Sequence, residues 1–179
     1  MNIQELKKHL AELTKKELIN EISFIFKMDS FSNDYLSSKF SQGSEHSLLE
    51  KYKQQVKNEF YPERGEPKLR LSIAKKAVSE FKKLSKSQSD ISDIMVFYVE
   101  NGVEFTCDYG DIDEKFYSSM ESMFENALKF IQKHNLGNDC NTRCKKIVND
   151  TEFIGWGFHD RLGYLYDFYF PQKSGAGSD

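Results

Sequence analysis

The densest group of side chains that could do chemistry is a run of carboxylates in the middle of the chain. Residues 90–125 contain ten Asp and Glu residues and a single lysine. Within the run, Glu104 and Asp108 would share one face of a helix, and Asp111 and Asp113 follow shortly after them. Carboxylate oxygens at this density suit hard cations such as Mg²⁺ or Ca²⁺. The run therefore suggests a divalent-cation site, in a metal-dependent enzyme or a metal-binding protein.

The same carboxylates also have a structural interpretation. Acids in the first turn of a helix interact favourably with its dipole, and several members of the run stand at predicted helix starts. The stretch 108–113 also lacks the calcium-loop pattern, which needs acids at positions 1, 3 and 5 and glycine at position 6. We favour the structural interpretation and expect no metal and no cofactor.

A second candidate group follows the single tryptophan, where His159 and Asp160 are adjacent. Adjacent side chains on a helix diverge by about 100°, so these two cannot form a catalytic pair with each other. His159 would need a carboxylate from elsewhere, and Glu104 or Asp108 could supply it. The complete candidate polar cluster has six members: Glu104, Asp108, Asp111, Asp113, His159 and Asp160.

The residues just before His159 predict a corner between two helices. Gly155 and Gly157 flank Trp156, and Phe158 follows at once. The glycines would leave room for the ring and for the change of chain direction. Trp156 would anchor the corner in the core, and Phe158 would dock as the next helix begins. We favour this structural corner over an active site.

A basic stretch, residues 68–86, precedes the acidic run. Its seven Lys and Arg residues stand against Glu80 alone, which would suit phosphate or nucleic acid. Its one aromatic residue, Phe81, falls on the predicted core face, and the whole chain has a net charge of −3. We therefore argue against a nucleic-acid partner and keep phosphate or nucleic-acid binding as the weaker alternative. The lysines concerned are Lys75, Lys76, Lys82 and Lys83.

The three cysteines do not predict a metal or catalytic site. Cys140 and Cys144 lie four residues apart on an apolar stripe, which indicates burial rather than zinc ligation. The sequence also lacks the common nucleotide-binding, serine-hydrolase and zinc-protease motifs. An odd number of cysteines, no leader sequence and no long apolar stretch together predict a cytoplasmic protein that does not enter a membrane.

Helical periodicity runs along the whole chain, which predicts an all-α fold. We expect seven or eight helices in antiparallel hairpins, arranged as an irregular bundle or a short helical-repeat-like stack. One domain would span residues 1–170, and 171–179 would be a flexible tail. A linker at 62–68 could divide that domain into an N-terminal hairpin unit, 1–61, and a larger unit, 69–170.

Three local signals refine this picture. Thr14 and Glu17 form a predicted capping box at the start of the second helix. Residues 94–99 are apolar on most sides of their helix, so we expect that helix at the centre. Gly102, inside the same helix, costs about 1 kcal/mol relative to Ala and predicts close packing or a kink. The second helix also carries an apolar face that we expect to be buried: Leu18, Ile22, Ile25 and Phe26.

Four stretches carry a resemblance to a known family, namely 98–105, 109–114, 119–125 and 155–160. On these stretches the chain resembles a family of small uncharacterised bacterial all-helical proteins, a domain of unknown function, from residue 3 to about residue 169. The resemblance implies a bacterial cytoplasmic helical protein. It assigns no role to any residue, because no activity accompanies the family.

Amphipathic helices without a catalytic motif are typical of proteins that bind other proteins. We therefore expect a non-enzymatic protein–protein interaction module, whose partner is another protein or a second copy of the chain. The charge is uneven, with 17 basic and 12 acidic residues in 1–89 but 8 and 16 in 90–179. Such asymmetry is explained either by an oppositely charged partner or by compensation within the fold.

Overall fold

The computed structural model describes residues 1–41 and 45–171, apart from the side chains of residues 45, 138 and 139. These residues form nine α-helices and no strand, which confirms the all-α prediction with a slightly higher helix count. The predicted tail lies outside the described residues from position 172 onward. In chain order the helices are α1 (Ile3–Glu12), α2 (Lys15–Met28), α3 (Ser30–Phe40), α4 (Glu45–Phe60), α5 (Leu71–Leu84), α6 (Gln88–Tyr109), α7 (Glu114–His134), α8 (Gly137–Asp150) and α9 (Phe158–Tyr169).

The first three helices make up the N-terminal unit of the chain, Met1–Glu45. The predicted capping box of α2 is confirmed, because the Thr14 hydroxyl accepts from the Glu17 N–H at 3.3 Å and the Glu17 carboxylate accepts from the Thr14 N–H at 2.7 Å. Asp29 caps α3 in a similar way, by accepting from a backbone N–H at 3.0 Å. α2 and α3 pack against each other as a hairpin. Separate caps keep these short helices distinct.

Helix α6 lies at the centre of the second unit, His46–Asp179. Its Ile94, Val96 and Tyr98 side chains are fully buried, as the sequence predicts. α5, α7 and α8 contact α6, and α9 packs on α7 and α8. α4 reaches α6 through aromatic rings, with the Phe60 ring centroid 5.9 Å from that of Tyr98. Helices α4, α5, α7 and α8 therefore all pack against α6, which fixes where their side chains lie.

The stretch 62–68 lies inside the second unit. The buried Glu59 carboxylate accepts hydrogen bonds from the Arg70 guanidinium at 2.8 and 3.0 Å and from the Arg70 N–H at 3.2 Å. This ion pair joins the two ends of the stretch. Packing therefore divides the chain after Glu45, and a domain boundary at 62–68 stays a prediction.

Gly102 allows helix α7 to approach α6 closely. A Cβ atom at this position would stand 3.0 Å from Met120 Cε and 3.1 Å from Met120 Cγ, and closer still to Met120 Sδ. Met120 is fully buried. The prediction of close packing at Gly102 is confirmed, because a side chain there would overlap one from the neighbouring helix.

Candidate functional site

Three acids of the predicted corner each have a protein partner. Asp108 accepts a hydrogen bond from the Tyr61 hydroxyl at 2.8 Å, and Asp111 accepts one from the Tyr117 hydroxyl at 3.0 Å. Asp113 caps α7 by accepting from a backbone N–H at 2.7 Å. Burial and the hydrogen bond to Asp108 raise the pKa of Tyr61, so its hydroxyl stays protonated and donates. These contacts give the carboxylates structural roles at helix ends.

The remaining two acids of the candidate cluster are exposed. Glu104 lies on α6 and lines a cleft, whereas Asp160 lies in the first turn of α9, where a negative charge suits the helix dipole. Across residues 1–41 and 45–171, no group of three or more His, Cys, Asp or Glu side chains is arranged to hold a metal ion. The members of the candidate polar cluster thus lie on several different helices and helix ends, and not around one common site.

His159 binds the end of α8. Its Nδ1 atom lies 3.1 Å from the Val148 carbonyl oxygen and 3.1 Å from the Thr151 hydroxyl. Because a carbonyl only accepts, we assign the proton to Nδ1. The Thr151 hydroxyl donates to the same carbonyl at 2.6 Å. His159 therefore adds a further donor to a carbonyl at the C-terminus of α8, which also accepts from the Thr151 hydroxyl and the Thr151 N–H, and its Nδ1 atom is committed to that bond.

The corner at 155–158 is present, but its anchor is not the tryptophan. Trp156 is 68% exposed, so the prediction that it anchors the corner in the core is wrong. Phe158 is fully buried instead, with its ring centroid 4.8 Å from that of Tyr117. Gly157 caps α9 in the left-handed region, at φ 69°, which glycine adopts without strain. Gly155 lies near the Asp111 carboxylate, 3.8 Å from where a Cβ would stand.

An ion-pair network that was not predicted from the sequence joins three helices. Arg143 on α8 donates to both Glu100 oxygens, at 2.7 and 2.6 Å, and to Asp93 at 2.5 Å. Lys53 on α4 pairs with the other Asp93 oxygen at 2.6 Å. Burial raises the pKa of Asp93, but the bonds from Lys53 and Arg143 outweigh it, and the net pKa is lowered. The spacing of Asp93 and Glu100 on one face of α6 was the available signal.

A cleft of about 570 Å³ runs along α6 beside this network, and we call it the α6 cleft. Its cations and carboxylates largely neutralise each other, since Arg143 pairs with Glu100 and Lys146 pairs with Asp150. Cys107 lines the cleft too, but burial and nearby acids raise the pKa of its thiol. A thiol with a raised pKa is a poor nucleophile at neutral pH. The α6 cleft therefore gives no chemical preference for one class of ligand.

The basic helix α5 does not form a continuous row of free cations. Lys76 pairs with Glu80 at 3.5 Å, and the Lys82 ammonium lies 5.5 Å from the centre of the Phe130 ring. Phe81 is buried on the core face, as predicted. Lys75, by contrast, is half-buried, with its ammonium in a cavity between α5 and α7.

The largest departure from expectation is the apolar face of α2. Ile22 is 50% exposed, Ile25 46% and Phe26 37%, so the other helices of the N-terminal unit do not bury this face as predicted. On α3, Phe40 is 80% exposed. A groove of about 430 Å³ lies between the two helices, and we call it the hairpin groove. Its apolar lining is Ile22, Phe26, Leu36 and Phe40.

Comparison with known proteins adds a family but no activity. The model of a family of unknown function, DUF6155, matches residues 1–169. No curated protein and no solved structure matches the chain. No helix in the described ranges has the length and apolar character needed to cross a bilayer. The family match includes all nine helices, the hairpin groove and every member of the candidate polar cluster. The chain belongs to the family of unknown function DUF6155.

Proposed function

We propose that this protein is a non-enzymatic helical module that associates with a second copy of itself through the hairpin groove. The observation that carries the proposal is the exposure of large apolar side chains along α2 and α3. Eight of them are at least one-third exposed: Ile19, Ile22, Phe24, Ile25, Phe26, Met28, Tyr35 and Phe40.

The small size of the N-terminal unit supports the proposal that a second chain covers the apolar faces of α2 and α3. α1 and α2 contain no buried residue, and the one buried residue of α3 is Asp34. Chains of about 40 residues rarely bury enough apolar surface to be stable alone, and they usually need oligomerisation, a metal or disulfides. Helices of 10–14 residues are also marginal in water without packing. Covering the apolar faces of α2 and α3 would therefore stabilise the whole unit.

The magnitude suits a reversible dimer. Fully burying a large apolar side chain is worth about 1.5–3 kcal/mol, so a half-exposed one gains about 1 kcal/mol. Two copies contribute eight lining side chains, or about 8 kcal/mol, against association costs of at least about 4 kcal/mol. With the lower cost, the difference of about 4 kcal/mol corresponds to a Kd of about 1 mM, and burial of the flanking apolar residues would lower the Kd further.

Charge in this unit favours a second copy over an oppositely charged partner. Residues 1–41 contain six Lys and six Asp or Glu, so their formal net charge is zero. Of the residues that line the hairpin groove, Lys27 alone is charged. Two such surfaces approach without strong like-charge repulsion, and nothing in them selects a basic or an acidic partner.

Sedimentation velocity over a wide concentration range tests the proposal. The wild-type chain should shift from monomer to dimer as concentration rises, and Phe40→Asp should remain a monomer. Phe153→Asp is the matched control, since Phe153 is 95% exposed but lies in the second unit. Ile22→Asp provides a second change in the groove.

Three results would overturn self-association through this groove. The wild-type chain could remain a monomer up to about 1 mM, the weak limit set by the burial arithmetic. Phe153→Asp could abolish the dimer as fully as Phe40→Asp does. Both groove variants could leave the dimer intact.

A further inference from the structure

A cavity between α5 and α7 is lined mainly by hydrogen-bond donors. It has a volume of about 570 Å³, and we call it the Lys75 cavity. One ammonium comes from α5 and another from the first turn of α7, and three serine hydroxyls follow along α7. The lining residues are Lys75, Glu114, Lys115, Ser118, Ser119 and Ser122.

Four of these donors have no acceptor on the part of the protein that the structure describes. The Ser119 hydroxyl pairs with the Tyr98 hydroxyl at 2.7 Å. Within the described ranges, the other two hydroxyls and both ammonium groups make no hydrogen bond and no ion pair with the protein; Lys115, Ser118 and Ser122 are exposed to solvent, whereas Lys75 is half-buried. Glu114, the one carboxylate in the lining, forms no ion pair with either lysine at 4.0 Å or less. The unpaired donors are Lys75, Lys115, Ser118 and Ser122.

The position of Lys75 makes this arrangement costly without a ligand. Its side chain is half-buried, and an ammonium group can only donate. Burial of a cation without a counter-ion is unfavourable, and it lowers the pKa of Lys75. An anion in the cavity would compensate the charge and accept from the hydroxyls as well.

We propose that the Lys75 cavity binds a single phosphate-class oxyanion, either inorganic phosphate or the phosphate group of a small phosphomonoester. With the Glu114 carboxylate in the lining, the two ammonium groups leave one net positive charge to attract the anion, and two hydroxyls can donate to its oxygens. A polyanion such as nucleic acid fits less well, because the neighbouring lysines Lys76 and Lys82 already have partners on the protein. This site is separate from the proposed self-association, since it lies between α5 and α7.

Isothermal titration with inorganic phosphate and with O-phosphoserine tests the proposal, and a short single-stranded DNA serves as a third ligand. We expect saturable binding of one phosphate per chain, with a Kd of about 1 mM or below. Lys75→Met should weaken binding at least about tenfold, because it removes the half-buried cation. Ser118→Ala with Ser122→Ala should weaken it by a smaller factor of roughly three to ten.

Lys76→Met is the matched control, since it removes the adjacent lysine, whose ammonium pairs with Glu80 outside the cavity. It should leave phosphate affinity within about twofold of wild type, because exposed charges contribute little. The unliganded Lys75→Met variant should melt at or above the wild-type temperature, which shows that its fold is intact. Preference for O-phosphoserine over phosphate would identify a phosphomonoester as the ligand class.

Three outcomes would overturn the proposal. Binding could fail to saturate below about 10 mM phosphate. Lys75→Met and Lys76→Met could weaken binding equally, as diffuse charge attraction would require. DNA could bind more tightly than phosphate and still depend on both lysines, which would indicate a polyanion surface on α5.

Discussion

Replacement of Gly102 by alanine tests the packing of α6 against α7 most directly. Gly102 lies in the interior of a helix, where alanine is favoured over glycine by about 1 kcal/mol. Helix propensity alone therefore predicts that Gly102→Ala stabilises the protein. The structure predicts the opposite, because the new methyl group would overlap the side chain of Met120.

The size of the effect follows from these two contributions. The methyl group would stand 3.0 Å from Met120 Cε and 3.1 Å from Met120 Cγ, and closer still to the sulfur. Met120 is fully buried, so it cannot swing into solvent to relieve the overlap. Overpacking of this kind costs about 1–3 kcal/mol, occasionally more. After subtraction of the propensity gain of about 1 kcal/mol, we expect Gly102→Ala to lower the free energy of unfolding by up to about 2 kcal/mol.

Urea unfolding followed by circular dichroism measures this change. Gly163→Ala is the matched control, because Gly163 also lies inside a helix but its nearest neighbour, Val148 Cγ1, would be 3.9 Å from the methyl group. That distance is an ordinary contact, so Gly163→Ala should stabilise the protein by about 0.5–1 kcal/mol.

A double-mutant cycle identifies the overlap as the cause. Met120→Ala alone should cost about 2–5 kcal/mol, as a truncation of a buried side chain. With Met120 truncated, Gly102→Ala should change from destabilising to neutral or stabilising. The reasoning is refuted if Gly102→Ala stabilises the wild-type protein as Gly163→Ala does, or if its cost is unchanged by Met120→Ala.

Two further predictions concern side chains that hold the second unit together. The pKa of Asp93 is lowered in the folded protein, so its ionised form stabilises the fold above the unfolded pKa of about 3.9, and this contribution is lost as pH falls through the lower folded pKa. In Asp93→Asn the bonds to Lys53 and Arg143 lose their charge, so urea unfolding near neutral pH should show a free energy of unfolding about 1–2 kcal/mol below wild type. This difference in stability should narrow below about pH 4, where Asp93 of the wild-type protein becomes protonated. A difference that does not change with pH would contradict the argument. Tyr117→Phe removes the hydroxyl that donates to Asp111, and the same measurement should show a loss of about 1 kcal/mol; a loss of less than about 0.3 kcal/mol would mean that water replaces the hydroxyl at no cost.

Features governed by local rules were predictable from the sequence. The capping box at Thr14 depends on two residues three apart, and it forms as predicted. The central position of α6 followed from apolar residues on most of its sides, and Ile94 and Tyr98 are fully buried. Gly102 was identifiable because a glycine inside a helix needs a packing reason to offset its cost. These predictions needed only neighbours along one helix.

Features that depend on distant parts of the chain were not predictable. Trp156 and Phe158 stand two residues apart beside the same glycines, and composition alone favoured the larger ring as the anchor. The structure buries Phe158 because Tyr117 of α7 lies against it. His159 likewise binds the last turn of α8, a carbonyl that no spacing rule could indicate. Arg143 donates to Glu100, which lies 43 residues earlier in the sequence, so no local pattern indicates this ion pair.

The apolar face of α2 shows what periodicity does and does not determine. A stripe such as Ile22 and Phe26 indicates that the face will be covered, but it carries no information about which chain covers it. In α6 the cover comes from four neighbouring helices, α4, α5, α7 and α8. The N-terminal unit has only three short helices, and burial of a stripe takes further apolar elements packed against it. The carboxylates Asp108, Asp111 and Asp113 already have partners, whereas the hairpin groove has an exposed apolar lining. That contrast is why we assign function to the groove rather than to the acidic corner.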